Sequence, residues 1–420
     1  MSIFHNAHER LQNIGYIWWQ EMRRVFKDEG VIIFFFVVPL VYPLLYSWIY
    51  NNEVVRDVPV AVVDDSHSSL SRQFIRKCDA SPDVRVAYYA QDLDEARSLV
   101  SRQLVKGIYY FPSDFDVRVN RLEQSTVGVY CDMSLMLCYK AIYQTAMLVS
   151  LQMGQDIRVR LSGGYTARDE TISAAPLRLT EVPIFNPAGG YGSFILPGVL
   201  ILILQQTLAL GIGLSAGTAR EENRYGMLIP ISRHYNDVFA IVAGKALCYF
   251  MIYAVMGAWL VAAVPRMFHF PQLASAWALL MLMLPYLLAC IFFGMTVSCL
   301  VRYRENVMLL MVFVSVPLLF LTGVSWPQSS IPGVWQGVSW LFPSTFAVRA
   351  FVRLNSMGAS LTDVQFEYRI LWFQVLAYLF LACCVYRYQL HLAHLNVTRR
   401  LDELKKRKER ESGSVDNQWG

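Results

Sequence analysis

The stretch "GVIIFFFVVPLVYPLLYSWIYNN", Gly30 to Asn52, carries no charged side chain. An α-helix rises about 1.5 Å per residue, so roughly 20 apolar residues cross the ~30 Å hydrocarbon core of a bilayer. The stretch therefore predicts one membrane-spanning helix over 31–50, interrupted by Pro39 and Pro43. No small-residue cleavage site follows it, so we expect an uncleaved signal anchor.

Further stretches with few or no charges have about the length of a membrane span. They lie at 194–215, 238–264, 273–300, 306–322 and 370–389. The composition agrees, because 55% of the 420 residues are hydrophobic and only 16% are charged, which is unusual for a soluble protein. Lys245, near one end of the third span, is expected to extend its ammonium group to the interface. We predict a polytopic α-helical membrane protein with six transmembrane helices, the last five within 193–390.

The distribution of Lys and Arg predicts the orientation of these helices. Basic residues are frequent in the N-terminal segment, in the loops after the second and fourth spans and in the tail 391–420, whereas 323–368 contains only Arg349 and Arg353. Because cytoplasmic loops are enriched in Lys and Arg, we expect both termini in the cytoplasm. The net charge of +5 reflects this asymmetry, so nucleic-acid binding is not expected.

The segment 1–30 predicts an amphipathic helix that lies in the cytoplasmic interface. Apolar residues recur there at three- and four-residue steps: Leu11, Ile14, Trp18, Met22 and Val25. A simple extension of the first span is the alternative interpretation.

The segment 51–192 is charged and patterned, unlike the spans. Strand-like and helix-like patterns alternate from Val58 to Asp132, which predicts an inserted extracytoplasmic α/β domain. Gly107 is expected to cap the second helix of this domain. A longer helical pattern from Met133 to Val159 predicts a stalk or a partner contact.

Two groups of polar residues in this segment are candidates for a site or a cross-link. Aspartates lie at the ends of predicted strands, where open α/β sheets often bind ligands: Asp64, Asp65 and Asp132. Capping of the following helices is the simpler interpretation, and a metal site would need more converging ligands. A disulfide between Cys78 and either Cys131 or Cys138 is left open.

The segment 323–368 contains Pro327, Pro332 and Pro343, which exclude one continuous crossing helix. Its tryptophans suit the headgroup boundary. We predict two short interfacial or re-entrant helices, which form either an external lid or an aromatic anchor.

Enzymatic chemistry is not predicted for this chain. The sequence contains no G-x-x-x-x-G-K-[ST], G-x-S-x-G or H-E-x-x-H motif. The spans carry almost no acidic residues, which disfavours coupling to an ion gradient. Uphill transport by this chain would therefore need energy from another polypeptide.

The stretch "AREENRYGMLIPI", residues 219–231, introduces charges between two apolar spans. Charges at the bilayer centre cost about 2.5 to 3.5 kcal/mol each, so we expect a cytoplasmic loop over 216–237. It is either an ordinary positively charged loop or a surface against which a soluble motor acts. The candidate coupling residues are Arg220, Glu221, Glu222, Arg224, Tyr225 and Gly226.

At these residues the sequence resembles the membrane subunit of type 2 ATP-binding cassette (ABC) exporters. Those permeases carry an arginine and acid cluster, then a glycine, and then Gly-Lys at a fixed spacing; the matching residues here are Arg220, Glu221, Glu222, Gly226, Gly244 and Lys245. Met227 and Ile229 depart from the Thr and the acid of the family pattern. The stretches "VPVAVVDDSHSSLSRQF", "FNPAGGYGSFILPGVL" and "LTGVSWPQSSIPGVWQGVSW" resemble other family regions in the same order.

The resemblance implies an export permease of the bacterial inner membrane for hydrophobic, drug-like or lipid substrates. It implies a homodimer or a pair of related permeases, and two ATPase subunits that bind ATP and Mg²⁺, so that this chain itself carries no cofactor. A periplasmic adaptor and membrane lipids are further expected partners. The basic tail contacts the ATPase or anionic lipid, or only sets orientation. A membrane-anchored receptor or envelope-interaction protein is the alternative function.

Overall fold

The chain forms two compact units in the computed structural model. One unit contains Met1–Asn51 and Gly189–Gly420, and the other contains Asn52–Ala188; we call them the helical unit and the inserted unit. The structure describes residues 2–51, 53–121, 123–162, 185–186, 190–222, 228–230, 233–235, 237–300 and 303–416.

The helical unit begins with two separate helices. Helix α1 covers Ser2–Val25, and α2 covers Glu29–Ile49 with one π-helical turn inside it. Asp28 caps α2, since its carboxylate accepts hydrogen bonds from the backbone N–H groups of Gly30 and Val31. This cap fixes the break between the two helices.

The inserted unit contains a four-stranded sheet with the order β2-β1-β3-β4. Strands β1, β2 and β3 are parallel, and β4 pairs with β3 in the antiparallel direction. The elements in chain order are β1 (Val58–Asp64), α3 (Ser69–Asp79), β2 (Val84–Tyr89), α4 (Leu93–Ser101), β3 (Gly107–Phe111), α5 (Phe115–Asn120), β4 (Gly128–Cys131) and α6 (Met136–Ser162).

Both faces of this sheet are covered, which explains why β1 is apolar along almost its whole length. Val60 and Val62 pack with α3 and α6 on one face, whereas Ala61 and Val63 pack with α4 on the other. The sheet confirms that the N-terminal half of the chain contains strands between helices.

Several details of the inserted unit differ from the sequence-based expectations. Gly107 does not cap α4, which ends at Ser101. It opens β3 instead, where a Cβ atom would lie 2.8 Å from the Ile142 side chain. Asp64 is not the cap of α3 either, because Ser68 takes that role.

The Asp64 carboxylate accepts hydrogen bonds from the His67 N–H group at 3.0 Å and from the Ser71 hydroxyl at 2.8 Å. It therefore stabilises the turn between β1 and α3. The thiols of the three cysteines of this unit are free: Cys78, Cys131 and Cys138.

The rest of the helical unit is a bundle. Its elements are α7 (Tyr191–Glu222), α8 (Val238–Met267), α9 (Ala276–Leu300), α10 (Arg304–Leu321), α11 (Gly333–Ser339), α12 (Pro343–Met357) and α13 (Gln365–Asp416), with short 3-10 turns at Arg233–Tyr235 and Gln328–Ser330. In the described part of the chain, six helices are long and apolar enough to cross a membrane: α2, α7, α8, α9, α10 and α13. This result confirms the predicted number of spans.

Helix α7 is the centre of the bundle. In its most apolar window 78% of the residues are buried, compared with 22% for α10 and for α13. Helices α9, α10, α12 and α2 pack around it. Glycines permit this close packing, because a Cβ atom on Gly211 would lie 1.9 Å from the ring of Phe35 and one on Gly213 would lie 2.2 Å from Val307.

Two helix ends differ from the predicted boundaries. Helix α7 continues to Glu222, so residues 216–222 of the predicted loop 216–237 are helical. Helix α13 continues without a break from the apolar part of the last span to Asp416.

The substitution Gly211→Ala tests the packing of α7 against α2. The Phe35 ring is fully buried between Tyr249 and Tyr253, so it cannot move away, and overpacking of this kind costs about 1 to 3 kcal/mol. We expect a lower thermal unfolding temperature in detergent, and recovery when Phe35→Leu is added. Gly15→Ala is the control, because nothing lies within 4 Å of that position and alanine favours the helix.

Candidate functional site: the polar network at the end of α7

The predicted coupling residues that the structure describes lie in the last turn of α7. These are Arg220, Glu221 and Glu222. The other three candidates, Arg224, Tyr225 and Gly226, lie outside the described residues.

The three charged residues of this turn have different surroundings. Arg220 is buried, with 8% of its surface exposed, and its guanidinium group donates a hydrogen bond to the backbone carbonyl of Cys299 at 3.0 Å. Glu221 and Glu222 are exposed. Arg220 therefore connects α7 to the end of α9, whereas the two carboxylates remain available to a partner.

A buried carboxylate, that of Glu21 in α1, joins three helices of the bundle. Its side chain is 1% exposed, and the Lys245 ammonium group of α8 donates to it at 2.8 Å. The hydroxyl of Ser215 in α7 donates at 3.2 Å, and the hydroxyl of Tyr249 in α8 also donates. Arg24, one turn further along α1, forms a second ion pair at 3.3 Å.

These partners determine the ionisation of Glu21. Burial alone would raise the pKa of this carboxyl, but Lys245, Arg24 and the hydrogen bonds outweigh burial and lower the pKa to about 2. A lowered pKa stabilises the fold at any pH above the unfolded value of 4.5, and this contribution is lost as the pH falls towards 2. Glu21 is therefore a carboxylate at neutral pH.

The structure corrects the expectation for Lys245. The ammonium group does not extend to an interface, because the side chain is 3% exposed and paired with Glu21. The cause is the position of α1, which packs along α8 so closely that a Cβ atom on Gly244 would lie 2.9 Å from Ile17. The Gly-Lys pair is therefore a contact site for α1. Gly244 allows α1 to pack closely against α8, and Lys245 forms an ion pair with the Glu21 carboxylate of α1.

A second polar cluster joins α2, α7 and α10. The Arg304 guanidinium group donates to the Asp28 carboxylate at 2.9 Å and to the Thr218 hydroxyl at 3.1 Å. Thr218 in turn donates to Asp28. Burial would raise the pKa of Asp28, but Thr218 and Arg304 lower it overall. A Cβ atom on Gly217 would lie 2.9 Å from the Arg304 backbone, which shows how closely α7 and α10 approach.

The two clusters border an open polar recess of about 660 Å³. Four basic and three acidic residues line it, and the acidic ones are Asp28, Glu29 and Glu222 at the end of α7. The basic residues are Arg23, Arg24, Lys27 and Arg304. The recess thus offers charges of both signs to a protein surface, next to helices that are connected by buried ion pairs.

Sequence reasoning missed Glu21, Asp28 and Arg304 as members of this network. The sequence contained a signal for Glu21. It lies four residues after Ile17 and four residues before Val25, so it is an acidic residue within the apolar stripe of α1. At the other end of that stripe, Leu11 is 66% exposed, as expected for an apolar face that lies in a membrane interface.

Six helices of spanning length, grouped around a buried polar network, define a multi-pass membrane protein. Residues 30–384 match the model of the family described as ABC-2 family transporter protein. The match covers most of the chain, so the protein belongs to the ABC-2 transporter family and is a membrane transport subunit. Membership implies partnership with an ABC ATPase subunit. No curated protein matches the sequence.

The substitution Glu21→Gln tests whether the Glu21 ion pair holds α1 in place. Removing one member of a buried pair leaves the other charge uncompensated and costs about 3 to 5 kcal/mol. We expect a large fall in the unfolding temperature in detergent, and partial recovery in the double variant Glu21→Gln with Lys245→Met.

Glu29→Gln is the matched control, because this substitution removes the same charge at a nearby position that is exposed. Equal unfolding temperatures for Glu21→Gln and Glu29→Gln would contradict a structural role for the ion pair.

Proposed function

We propose that this protein is the permease subunit of an ATP-driven exporter, and that a separate ABC ATPase acts on the end of α7. The observation that carries the proposal is the arrangement of Glu221 and Glu222. They are exposed on the last turn of the most buried spanning helix, while Arg220 in the same turn is bonded to α9.

The polar network supports a mechanical role for this turn. Force applied at Glu222 is transmitted to α9 through Arg220, to α10 and α2 through Thr218, and to α1 and α8 through Ser215. Hydrogen bonds to charged groups are stronger and more directional than neutral ones, and bonds in a network reinforce one another. The helices of the network would therefore move together when an ATPase binds or releases ATP.

The partner ATPase would bind ATP and Mg²⁺, and this chain would bind neither. Two permease copies, identical or related, would enclose the route for hydrophobic, drug-like or lipid substrates. Exposed apolar side chains of α10 support a second copy: Leu309, Val312, Phe313, Val316 and Phe320. The family match covers both units, which favours transport over a receptor that uses the helices only as an anchor.

The proposed location is a bacterial inner membrane, with both termini in the cytoplasm and the inserted unit outside. The positive charges of α1 and of the loops after α7 and α9 support this orientation. An outside position would allow the inserted unit to contact an envelope adaptor.

The double variant Glu221→Ala and Glu222→Ala tests the coupling role. Loss of two charged contacts at a protein interface should weaken ATPase binding and reduce substrate-stimulated ATP hydrolysis in proteoliposomes about tenfold or more. The control is Asp94→Ala with Glu95→Ala, another adjacent pair of exposed acids on a helix of the inserted unit. Substrate-stimulated ATP hydrolysis at the control's rate would contradict the proposal.

Cysteine labelling tests the orientation. In a background in which the exposed and partly buried cysteines Cys131, Cys138, Cys383 and Cys384 are replaced by Ser, Asp94→Cys should react with a membrane-impermeant maleimide in intact spheroplasts, because Asp94 is 90% exposed. Leu11→Cys, at another exposed position, should react only after the membrane is opened. The reverse pattern would show that the inserted unit is cytoplasmic.

A further inference from the structure

A narrow apolar slot of about 470 Å³ lies between the second half of α8 and the first half of α9. The α8 side contains Phe250, Val261 and four small residues at helical spacing: Ala254, Gly257, Ala258 and Ala262. Larger residues form the α9 side: Leu279, Leu280, Met283, Leu284 and Leu287. The volume is in the usual range for a small-molecule site with a largely apolar lining.

The slot opens sideways on the bundle. Ala254 and Ala258 are exposed, and Leu280 is 56% exposed. The π-helical turn Trp259–Ala263 lies beside it in α8, and such turns are frequent at functional sites. Since α8 and α9 are spanning helices, this opening faces the acyl chains of the bilayer.

One cation, Arg266, lies at the end of the slot. It is the only Asp, Glu, Lys or Arg residue between Ala246 and Leu300. Within the described ranges, the guanidinium group is exposed and has no carboxylate within ion-pair distance. Gln272 lies beside it, with its amide N–H donating to the Val261 carbonyl at 2.8 Å.

We propose that the slot binds one acyl chain of an anionic phospholipid, and that Arg266 pairs with the phosphate of its headgroup. An apolar channel open to the bilayer fits an acyl chain. A guanidinium group recognises phosphate with two parallel hydrogen bonds, and no carboxylate of α8 or α9 competes for it. An anionic headgroup is preferred because it adds no cation beside Arg266. This inference does not depend on the export proposal.

Native mass spectrometry of the full chain, delipidated in detergent, tests the proposal with phosphatidylglycerol and phosphatidylcholine as probes. We expect phosphatidylglycerol to bind the wild-type chain about tenfold more tightly than phosphatidylcholine. Arg266→Gln should remove this preference, since a hydrogen-bonded charged contact is worth about a factor of ten or more. Ala258→Phe, which fills the slot, should weaken both lipids.

Arg369→Gln is the matched control, because Arg369 is an exposed arginine near the start of the last spanning helix. This variant should bind both lipids as tightly as the wild-type chain does. Equal binding of the two lipids by the wild type, or unchanged binding in Arg266→Gln, would overturn the proposal. Displacement of phosphatidylglycerol by an equal concentration of palmitate would overturn it too, because it would identify a fatty-acid site.

A second measurement uses only the wild-type chain, so it stays informative if a variant misfolds. Phosphatidylglycerol with a diazirine in its acyl chain should cross-link to peptides that contain Ala254–Ala262 or Leu279–Leu287. Cross-links confined to other peptides would refute the assignment of this slot.

Discussion

The buried ion pair between Glu21 and Lys245 is the interaction on which the arrangement of the helical unit depends. Both side chains are almost completely removed from solvent, and an isolated charge in that position would be strongly unfavourable. Each charge therefore requires the other, so α1 cannot leave α8 without exposing or neutralising both. A segment that precedes the membrane spans in sequence is in this way a structural part of the bundle, although the family match begins only at residue 30.

The same principle divides the charged residues at the end of α7 into two kinds. Arg220 and Thr218 face the bundle and are bonded to α9, α10 and Asp28, so they attach the last described turn of α7 to its neighbours. Glu221 and Glu222 face outward. The sequence places these residues next to each other and does not distinguish them, but the helical geometry turns neighbouring positions by about 100° and so separates a structural cation from two accessible anions.

The spans and the sheet could be predicted because their signals are local. A run such as Gly30 to Asn52 can be assigned from hydropathy alone, and the β-branched segment around Val60 can be assigned from its composition. The Glu21 ion pair could not be predicted, because it joins residues 224 positions apart and depends on how two helices pack. The role of Gly107 was misassigned for the same reason, since Ile142, which contacts it, belongs to another element.

The two basic residues of α8 show how the environment decides the use of a charge. Lys245 lies where α1 crosses α8, and the protein supplies its counter-ion through Glu21. Arg266 lies at the other end, in a stretch from Ala246 to Leu300 that contains no acidic residue, beside an apolar slot that opens to the bilayer. A cation that the fold itself neutralises contributes to stability. Arg266 has no carboxylate partner in the described part of the chain, so it instead favours binding of an anion from outside the chain. A phospholipid offers both a phosphate for Arg266 and an acyl chain for the slot.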